Sequence, residues 1–349
     1  MKDKQIFDSL AVNAFDFLTR AVAEFEKSPK YSVIHFCAAI EMLLKAKLLR
    51  EHWSLVVAKP QEASRARFEA GDFSSVTLSD TRTRLREIAR VEISDPAYKS
   101  FESLSKHRNK MIHFYHAGVA GDAKEKARVA SEQCLSWFYL HGLLEQWKVD
   151  FKDHQSEISK AEQVMRGHRK YLEAKYKALS EEIKARVAAG QQVSGCESCG
   201  FDAAVLKQIR NFVYHGHCLV CDRSGVHVKI KCPKCSGNLI LSEAYYECPH
   251  CREDIVPEKI KNALVDPAEA HRAIQDGDDC YTDINCDHCD GYHTVVRMED
   301  KYLCTNCFGV FDDAQPCDWC NELNTGEMSD SYSAGCNHCD GWVEHQKDD

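Results

Sequence analysis

Eight Cys-x2-Cys pairs occupy the C-terminal half of the chain and restrict its fold more than any other sequence feature. Of the 19 cysteines among 349 residues, 17 lie at or beyond Cys196, and 16 of these form the pairs. Taken in order, they make four sets of four, with 18, 12, 14 and 15 residues between the two pairs of a set. These lengths suit a β-hairpin between two metal-binding turns. The sequence therefore predicts four small zinc ribbons.

Four thiolates complete the tetrahedral shell of zinc and leave no position for a catalytic water, so we expect structural metal. Sequential pairing and cross-braced pairing of the sets both satisfy the spacing. The predicted ligands are Cys196, Cys199, Cys218, Cys221, Cys232, Cys235, Cys248, Cys251, Cys286, Cys289, Cys304, Cys307, Cys317, Cys320, Cys336 and Cys339.

The thiolate interpretation requires a reducing compartment. The first residues, Met1-Lys2-Asp3-Lys4, lead into an amphipathic pattern instead of a signal peptide. The chain has no run of 18 apolar residues, so no membrane span is expected. We therefore expect a cytoplasmic protein whose cysteines bind metal and do not form disulfides.

Charge is distributed unevenly. Residues 266–349 contain 20 acidic and 4 basic residues, a net charge of −16, whereas residues 1–149 carry +4. The acidic segment is a poor candidate for contacting a nucleic-acid backbone. It suits a basic protein partner, or it is simply a solvated acidic surface.

Hydrophobic periodicity predicts an all-α N-terminal region, so the expected fold class is a multidomain protein with a helical bundle, a long helix and small β-hairpin ribbons. The predicted domains are a bundle over 1–149, a connecting helix over 150–190, ribbons 1 and 2 over 191–265, and acidic ribbons 3 and 4 over 266–349. In the bundle, helices are expected over 5–27, 31–53, 79–91 and 123–147, and a loop over 60–78. The heptad Ile158, Met165, Leu172 and Leu179 suggests that the connecting helix dimerises or separates the domains.

One further helix carries a candidate active site. Ser94-Asp95-Pro96 is a helix-start signal, and apolar residues recur after it at helical spacing. Asn109 and His113 are four apart and share a face, so the amide could orient the imidazole. Arg108, five residues before His113, would supply a guanidinium for phosphate at the edge of the same groove.

The Arg-x4-His spacing has little weight alone, because Arg210 and His215 repeat it between two Cys pairs. Glu41 and Lys45 either form a helix-surface ion pair or face the groove of the Arg108 helix. A short basic helix could guide an RNA backbone toward the site, or it could be an ordinary solvated face. Its arginines are Arg82, Arg84, Arg86 and Arg90.

With these residues identified, the N-terminal region of about 150 residues resembles the HEPN superfamily. The resemblance rests on the helical pattern, on the core segment 38–49, and on Arg108-Asn109-x3-His113-x-Tyr115, which matches the Arg-x4-His-x-Tyr form of the family motif. It implies a homodimer of helical bundles and a metal-independent endoribonuclease that acts as a toxin or in antiphage defence. It also implies that Tyr115 positions phosphate or is a site of inhibitory nucleotidylation; a core aromatic is the alternative.

Three functions are therefore compared. The first is a ribonuclease, acting on RNA such as tRNA, whose ribbons recognise the substrate, a trigger, or a neutralising or sensor protein. The second is a non-catalytic scaffold that displays its ribbons to a protein partner, which the acidic C-terminal segment favours. The third is a nucleic-acid-binding regulator that uses ribbons 1 and 2, where Lys207, Arg210, Lys229, Lys231 and Lys234 cluster.

Overall fold

The computed structural model describes residues 3–114, 116, 121–265, 267–277 and 283–345, and the chain divides into two compact units. The first is Met1–Ser180 and the second is Glu181–Asp349. Helices make up the first unit, and the second contains two larger sheets and all four cysteine sets. The predicted order, a helical N-terminal half followed by a region of small metal-binding elements, is confirmed.

The first unit is built around one heavily apolar helix. Its helices are α1 (Asp3–Glu24), α2 (Pro29–Leu49), α3 (Arg65–Glu69), α4 (Leu78–Glu87), α5 (Asp95–His113), α6 (Ala123–Gln146), α7 (Gln155–Arg166) and α8 (Arg169–Ala188), the last of which extends beyond the unit. α2 packs against α1, α4, α5 and α6, and eleven of its residues are buried. The prediction that this segment is the centre of the helical core agrees with the structure.

Polar side chains inside the bundle are paired, because an unpaired buried polar group costs free energy. The Ser32 hydroxyl donates to the Ala21 carbonyl at 2.6 Å and accepts from Gln133 Nε2 at 2.7 Å. These two bonds join α1, α2 and α6. Ser100 and Ser136 share a 2.7 Å hydrogen bond that joins α5 to α6.

The stretch 60–78 was expected to be a loop, but it contains the short helix α3. Phe68 on this helix is buried against the rings of Trp53 and Phe73, with centroid distances of 5.2 and 5.0 Å. Burial of this aromatic side chain stabilises a helix that its polar sequence does not predict.

The stretch 150–190 was expected to be one connecting helix, but it forms a 3-10 turn and two helices, α7 and α8. The break falls at Gly167 and His168. The heptad residues Ile158 and Met165 are buried because α7 packs against α1 and α6 of its own bundle. The apolar seam that suggested a coiled coil is therefore filled within the chain.

A buried carboxylate fixes this part of the bundle. Glu162 on α7 accepts from Trp137 Nε1 at 2.7 Å, from the Tyr171 hydroxyl at 2.9 Å and from Arg166 Nε at 2.9 Å. Burial acts to raise the pKa of Glu162, but the neighbouring His141, Lys175 and Arg166 outweigh it and hold the pKa below its ordinary value.

The second unit contains thirteen strands and four short helices among its described residues. The strands are β1 (Gln192–Gly195), β2 (Asp202–Arg210), β3 (Val213–Cys218), β4 (Ser224–Lys231), β5 (Asn238–Leu241), β6 (Tyr246–Glu247), β7 (Asp254–Ile255), β8 (Ile284–Cys286), β9 (Gly291–Met298), β10 (Lys301–Cys304), β11 (Val310–Phe311), β12 (Gln315–Pro316) and β13 (Leu323–Asn324). The helices are α9 (Pro257–Leu264), α10 (Pro267–Gln275), α11 (Ser331–Ala334) and α12 (Gly341–His345). Two of these helices, α9 and α10, lie between Cys251 and Cys286.

The ribbons share sheets. Strands β1 to β5 form one antiparallel sheet in sequence order, and the other large sheet has the order β11-β10-β9-β8-β13-β12. The parallel pairing of β13 with β8 joins ribbon 4 to ribbon 3, as Leu323 pairs with Ile284. Buried Asn285 reinforces this junction by donating to Glu322 Oε2 at 2.7 Å and accepting from the His293 backbone at 2.8 Å.

Ribbons 2 and 3 also share one apolar core. Val228, Ile230 and Leu239 from the first sheet lie in the same buried cluster as Val296 and Leu303 from the second. The cluster includes two predicted metal ligands of ribbon 2, Cys232 and Cys248. The boundary placed at residue 265 from the sequence therefore crosses a continuous core.

Candidate metal centres and the Arg108 helix

The sixteen cysteines lie in four groups, each composed of two pairs that are consecutive in the sequence. Within each group, the closest Sγ–Sγ distances between its two pairs are 3.5–3.8 Å. A disulfide would need about 2.05 Å, whereas thiolates at 2.3 Å from a tetrahedral zinc are about 3.8 Å apart. None of the cysteines in the described residues forms a disulfide. The groups are thus positioned for metal binding, with sequential pairing.

The backbone of the Cys-x2-Cys turns is arranged to aim both sulfurs at one point. In six of the eight pairs, the N–H four residues after the first cysteine donates to that cysteine's carbonyl at 2.6–2.9 Å. In seven pairs, the residue after the second cysteine has a positive φ; these residues are Gly200, Asp222, Ser236, Arg252, Asp290, Phe308 and Asn321. Such a conformation costs a bulky side chain free energy, so the surrounding structure must hold it.

The fourth group differs from the others, because two glycines allow its backbone segments to approach closely. A Cβ on Gly335 would lie 2.1 Å from the Cys339 carbonyl oxygen, and one on Gly341 would lie 2.3 Å from the Gly335 nitrogen. Both glycines also have positive φ, at 78° and 65°. No other residue fits at these positions without displacing the backbone around Cys336 and Cys339.

Arg108 is held on α5 by a partner on α2. The start of α5 agrees with the sequence signal, since Ser94 accepts from the Ala97 backbone. Farther along, Arg108 Nη2 donates to Glu41 Oε1 at 2.8 Å, and Lys45 lies 3.7 Å from the same carboxylate. Glu41 therefore forms an ion pair with Lys45 on its own helix and also faces the Arg108 helix. The Nε atom of Arg108 is buried and has no hydrogen-bond partner in the part of the chain that the structure describes.

Asn109 and His113 lie farther along α5 with exposed side chains. His113 is the last residue of the helix, and no hydrogen bond within the described residues joins the two side chains. Beside His113, Ile112 and Phe114 are exposed large hydrophobic residues, with 47% and 84% of their surface accessible. Tyr115 lies outside the described residues.

The four arginines proposed to guide RNA have different environments. Arg84 donates to the carbonyls of Leu55, Val57 and Ala58 at 2.6–2.7 Å, so it fixes a loop. Arg82 binds the Ile93 carbonyl and Asp95. The remaining two, Arg86 and Arg90, are exposed, and Arg86 is paired with Glu87.

The second copy of the spacing lies on the β2–β3 hairpin. Arg210 ends β2 and forms an ion pair with Asp300 and a second, at 3.4 Å, with Glu299. His215 lies in β3, opposite Lys207 and Val226. A β-hairpin does not reproduce the helical spacing of Arg108 and His113.

A buried cluster that the sequence did not reveal lies at the other side of α5. His107 Nδ1 is 2.7 Å from Nε2 of His116, and both side chains are buried. His107 Nε2 is 3.2 Å from Glu132 Oε2. Arg128 binds both Glu125, at 2.7 and 2.8 Å, and Glu132.

Charge and burial set the protonation of this cluster. Burial is the main cause that lowers the pKa of each imidazole, His107 and His116, so both are uncharged at neutral pH. The hydrogen bond from Arg128 lowers the pKa of Glu125 to about 2. The side chains of His107, His116 and Glu125 place three ligand atoms within 4.8 Å of one another.

Comparisons with protein-family models, with curated proteins and with solved structures find no match for this chain. None of the helices in the described ranges is long and apolar enough to cross a membrane.

Proposed function

We propose that the chain is a metal-independent endoribonuclease of the HEPN type, active as a homodimer, whose zinc-loaded ribbons recognise RNA or a protein partner. The observation that carries the proposal is the arrangement on α5: Arg108 is held by Glu41, and an exposed His113 lies a little more than one helical turn farther along. A toxin or an effector of antiphage defence is the role proposed for this activity.

The chemistry needs only these side chains. His113 acts as general base or acid at the ribose 2′-hydroxyl, so that the 2′-oxygen attacks the adjacent phosphorus and the 5′-oxygen leaves. The products are a 2′,3′-cyclic phosphate and a 5′-hydroxyl. Arg108 stabilises the negative charge that develops on the phosphate oxygens. Asn109 borders the same surface.

A second copy of the chain completes the site. Exposed Ile112 and Phe114 flank His113, and apolar side chains at this exposure favour association. In a symmetric dimer one His113 acts as base and the partner's His113 as acid. Zinc is the metal proposed for the four cysteine groups, because their sulfur spacing fits a tetrahedral ion with 2.3 Å bonds.

The decisive experiment compares wild type with Arg108→Ala and His113→Ala on total RNA and on tRNA, with EDTA added briefly enough to leave the ribbons loaded. Wild type should release fragments with 2′,3′-cyclic phosphate ends, and neither variant should release them. His52→Gln and Arg20→Ala are matched controls, because both side chains are exposed and distant in sequence from α5. Cleavage that survives His113→Ala, or a wild type without activity, would contradict the proposal.

Nucleic-acid binding by the second unit is a second candidate function, favoured by a basic and aromatic groove. A cavity of about 790 Å³ is lined by Phe212, Tyr214, Lys229 and Lys231, among other residues. Single-stranded RNA binds such surfaces by stacking bases on aromatic rings and by placing phosphates near lysines. Lys234, in contrast, is paired with Glu253 at 3.1 Å.

Binding of single-stranded RNA at several salt concentrations tests this function. Replacing Lys229 and Lys231 together by alanine should reduce the slope of log affinity against log salt by about two. Lys234→Ala should change it little, because Glu253 already neutralises that charge. A slope that is equal in all three proteins would exclude the groove.

A further inference from the structure

We infer that His107, His116 and Glu125 form a fifth metal site, one that binds a divalent transition-metal ion through two imidazoles and a carboxylate. The site lies in the helical unit and contains no cysteine, so it differs in chemistry from the four thiolate groups. Imidazole with carboxylate suits zinc and iron, whereas four thiolates suit zinc or an iron–sulfur centre.

The ligand atoms are close to the spacing that a metal requires. His107 Nδ1 and His116 Nε2 are 2.7 Å apart, and His116 Nε2 is 3.9 Å from Glu125 Oε1. Ligands bound at 2.0–2.1 Å to a tetrahedral ion are about 3.3 Å apart. The first of these distances must open, and the second must close, by about 0.6 Å, and all three ligand atoms already lie within 4.8 Å of one another. Small side-chain rotations accomplish both.

The surroundings of His107 are those of a metal ligand. His107 Nε2 lies 3.2 Å from Glu132 Oε2 and 3.3 Å from Arg128 Nη2. In the tautomer that donates to the Glu132 carboxylate, which can only accept, Nε2 carries the proton. This leaves the lone pair of Nδ1 directed at His116. A histidine that binds metal commonly donates its other N–H to a carboxylate, which fixes the ring and raises its basicity.

The charge of the cluster does not oppose a cation. Glu125 and Glu132 are both bound to Arg128, so the three side chains carry a net charge of −1. Lys110 is a further positive charge that acts on His116. A divalent ion would make the charge of the cluster positive. Arg128 would keep Glu125 oriented toward the ion by its hydrogen bonds of 2.7 and 2.8 Å.

One of the three ligand residues, His116, borders open space. His116 lines a cavity of about 470 Å³ together with Tyr31, Met111 and Gln133. Water or a small ligand can approach the ion from this side, as in sites with three protein ligands. The ion would join α5, α6 and His116, which lies beyond the end of α5. Because metal binding is the property inferred, the inference is independent of ribonuclease activity.

The test uses the full-length chain, loaded with zinc and then dialysed against a weak chelator until four zinc ions per chain remain, so that the cysteine groups are filled and the proposed fifth site is empty. Co²⁺ is titrated in and followed by calorimetry and visible absorption. Zinc binds thiolates more tightly than cobalt, so it keeps the ribbons occupied. We expect one Co²⁺ per chain, with d–d bands and without the charge-transfer absorption that thiolate ligands produce.

His116→Gln and Glu125→Gln should each abolish saturable Co²⁺ binding. Glu132→Gln keeps all three ligands but removes the carboxylate charge beside His107, and should weaken binding about 10–100-fold. His35→Gln is the matched control, because His35 contacts Glu24 at 2.8 Å but belongs to no three-ligand group among the described residues. It should bind Co²⁺ like wild type.

Circular dichroism and zinc content establish that each variant is folded. If folded, zinc-loaded wild type binds no Co²⁺, the two histidines form only a hydrogen bond and the inference is wrong. Binding that is undiminished in both His116→Gln and Glu125→Gln would place the cobalt elsewhere and overturn the assignment equally.

Discussion

Nη2 of Arg108 lies 2.8 Å from Oε1 of Glu41, and this ion pair joins α5 to α2, the central helix of the bundle. Glu41 is thereby a positioning residue for the guanidinium. Its own α2 neighbour, Lys45, lies 3.7 Å away and donates to Ser75 Oγ at 3.0 Å. The Arg108 side chain is therefore oriented by a rigid element, which is where a phosphate-binding group performs best.

Replacing Glu41 by Gln should lower the rate of RNA cleavage about 10-fold or more. A hydrogen bond between charged groups contributes about 1.5–3 kcal/mol, and an amide replaces only part of it. The cleavage rate at saturating RNA checks this, with Glu24→Gln as a control on α1. A Glu41→Gln rate equal to wild type would show that Glu41 does not position Arg108.

The four cysteine groups should together hold four zinc ions per chain, and at least one fewer in Cys232→Ser. Cys232 and Cys248 are buried in an apolar core, so loss of the ion also leaves polar thiols there. Elemental analysis after removal of loosely bound metal measures the content. Cys37→Ala and Cys134→Ala should retain every ion, because burial raises the pKa of each of these thiols to about 12 and both are remote in sequence from the Cys pairs.

Gly335→Ala should empty the fourth cysteine group. The added methyl would lie 2.1 Å from the Cys339 carbonyl, a backbone atom that has no rotamer to move to. Zinc content and resistance to proteolysis near the C-terminus report the change. Gly225→Ala is the matched substitution, because a Cβ there meets no atom within 4 Å. Equal zinc content in the two variants would contradict the argument.

Acid should destabilise the helical unit through Glu162. Its pKa in the folded chain is below the unfolded value of about 4.3, so its stabilisation is fully present above that value. The contribution is lost as pH falls through the folded pKa. Glu162→Gln should therefore remove this part of the acid dependence.

Glu162→Ala should cost about 3–5 kcal/mol, because it leaves Trp137, Tyr171 and Arg166 without their buried acceptor. Unfolding followed by tryptophan fluorescence between pH 3 and 7, roughly spanning the carboxyl range, measures both effects. Glu157→Gln on the same helix is the control, since Glu157 is only partly buried, with 41% of its side chain accessible. If Glu162→Gln shows the wild-type pH profile, the depressed pKa is not coupled to folding.

Signals within short stretches of sequence predicted the features that depend on neighbouring residues alone. The Ser94-Asp95-Pro96 start, the apolar run of α2 and the regular Cys-x2-Cys spacing each refer to residues close together in the chain. They predicted α5, the central helix and the four cysteine groups.

Contacts between distant segments were not predictable in the same way. Phe68 is helical because Trp53 and Phe73 cover it. His107, His116 and Glu125 are not spaced with the period of a helix or a strand. His116 lies beyond the end of α5, and Glu125 is on the next helix. Trp137, Glu162 and Tyr171 likewise meet only through packing. The presence of two histidines flanking the Arg108 motif was the one available signal.

The apolar core shared by ribbons 2 and 3 has a thermodynamic consequence. Cys232 and Cys248 of one group lie in the same cluster as Val296, Leu303 and Phe308, which adjoin the ligands of the next. An ion bound at the second group therefore stabilises the strands that present the third, and the reverse holds to the same extent by linkage. The two ions should be acquired and released cooperatively, so that chelation titrates this pair as a single step.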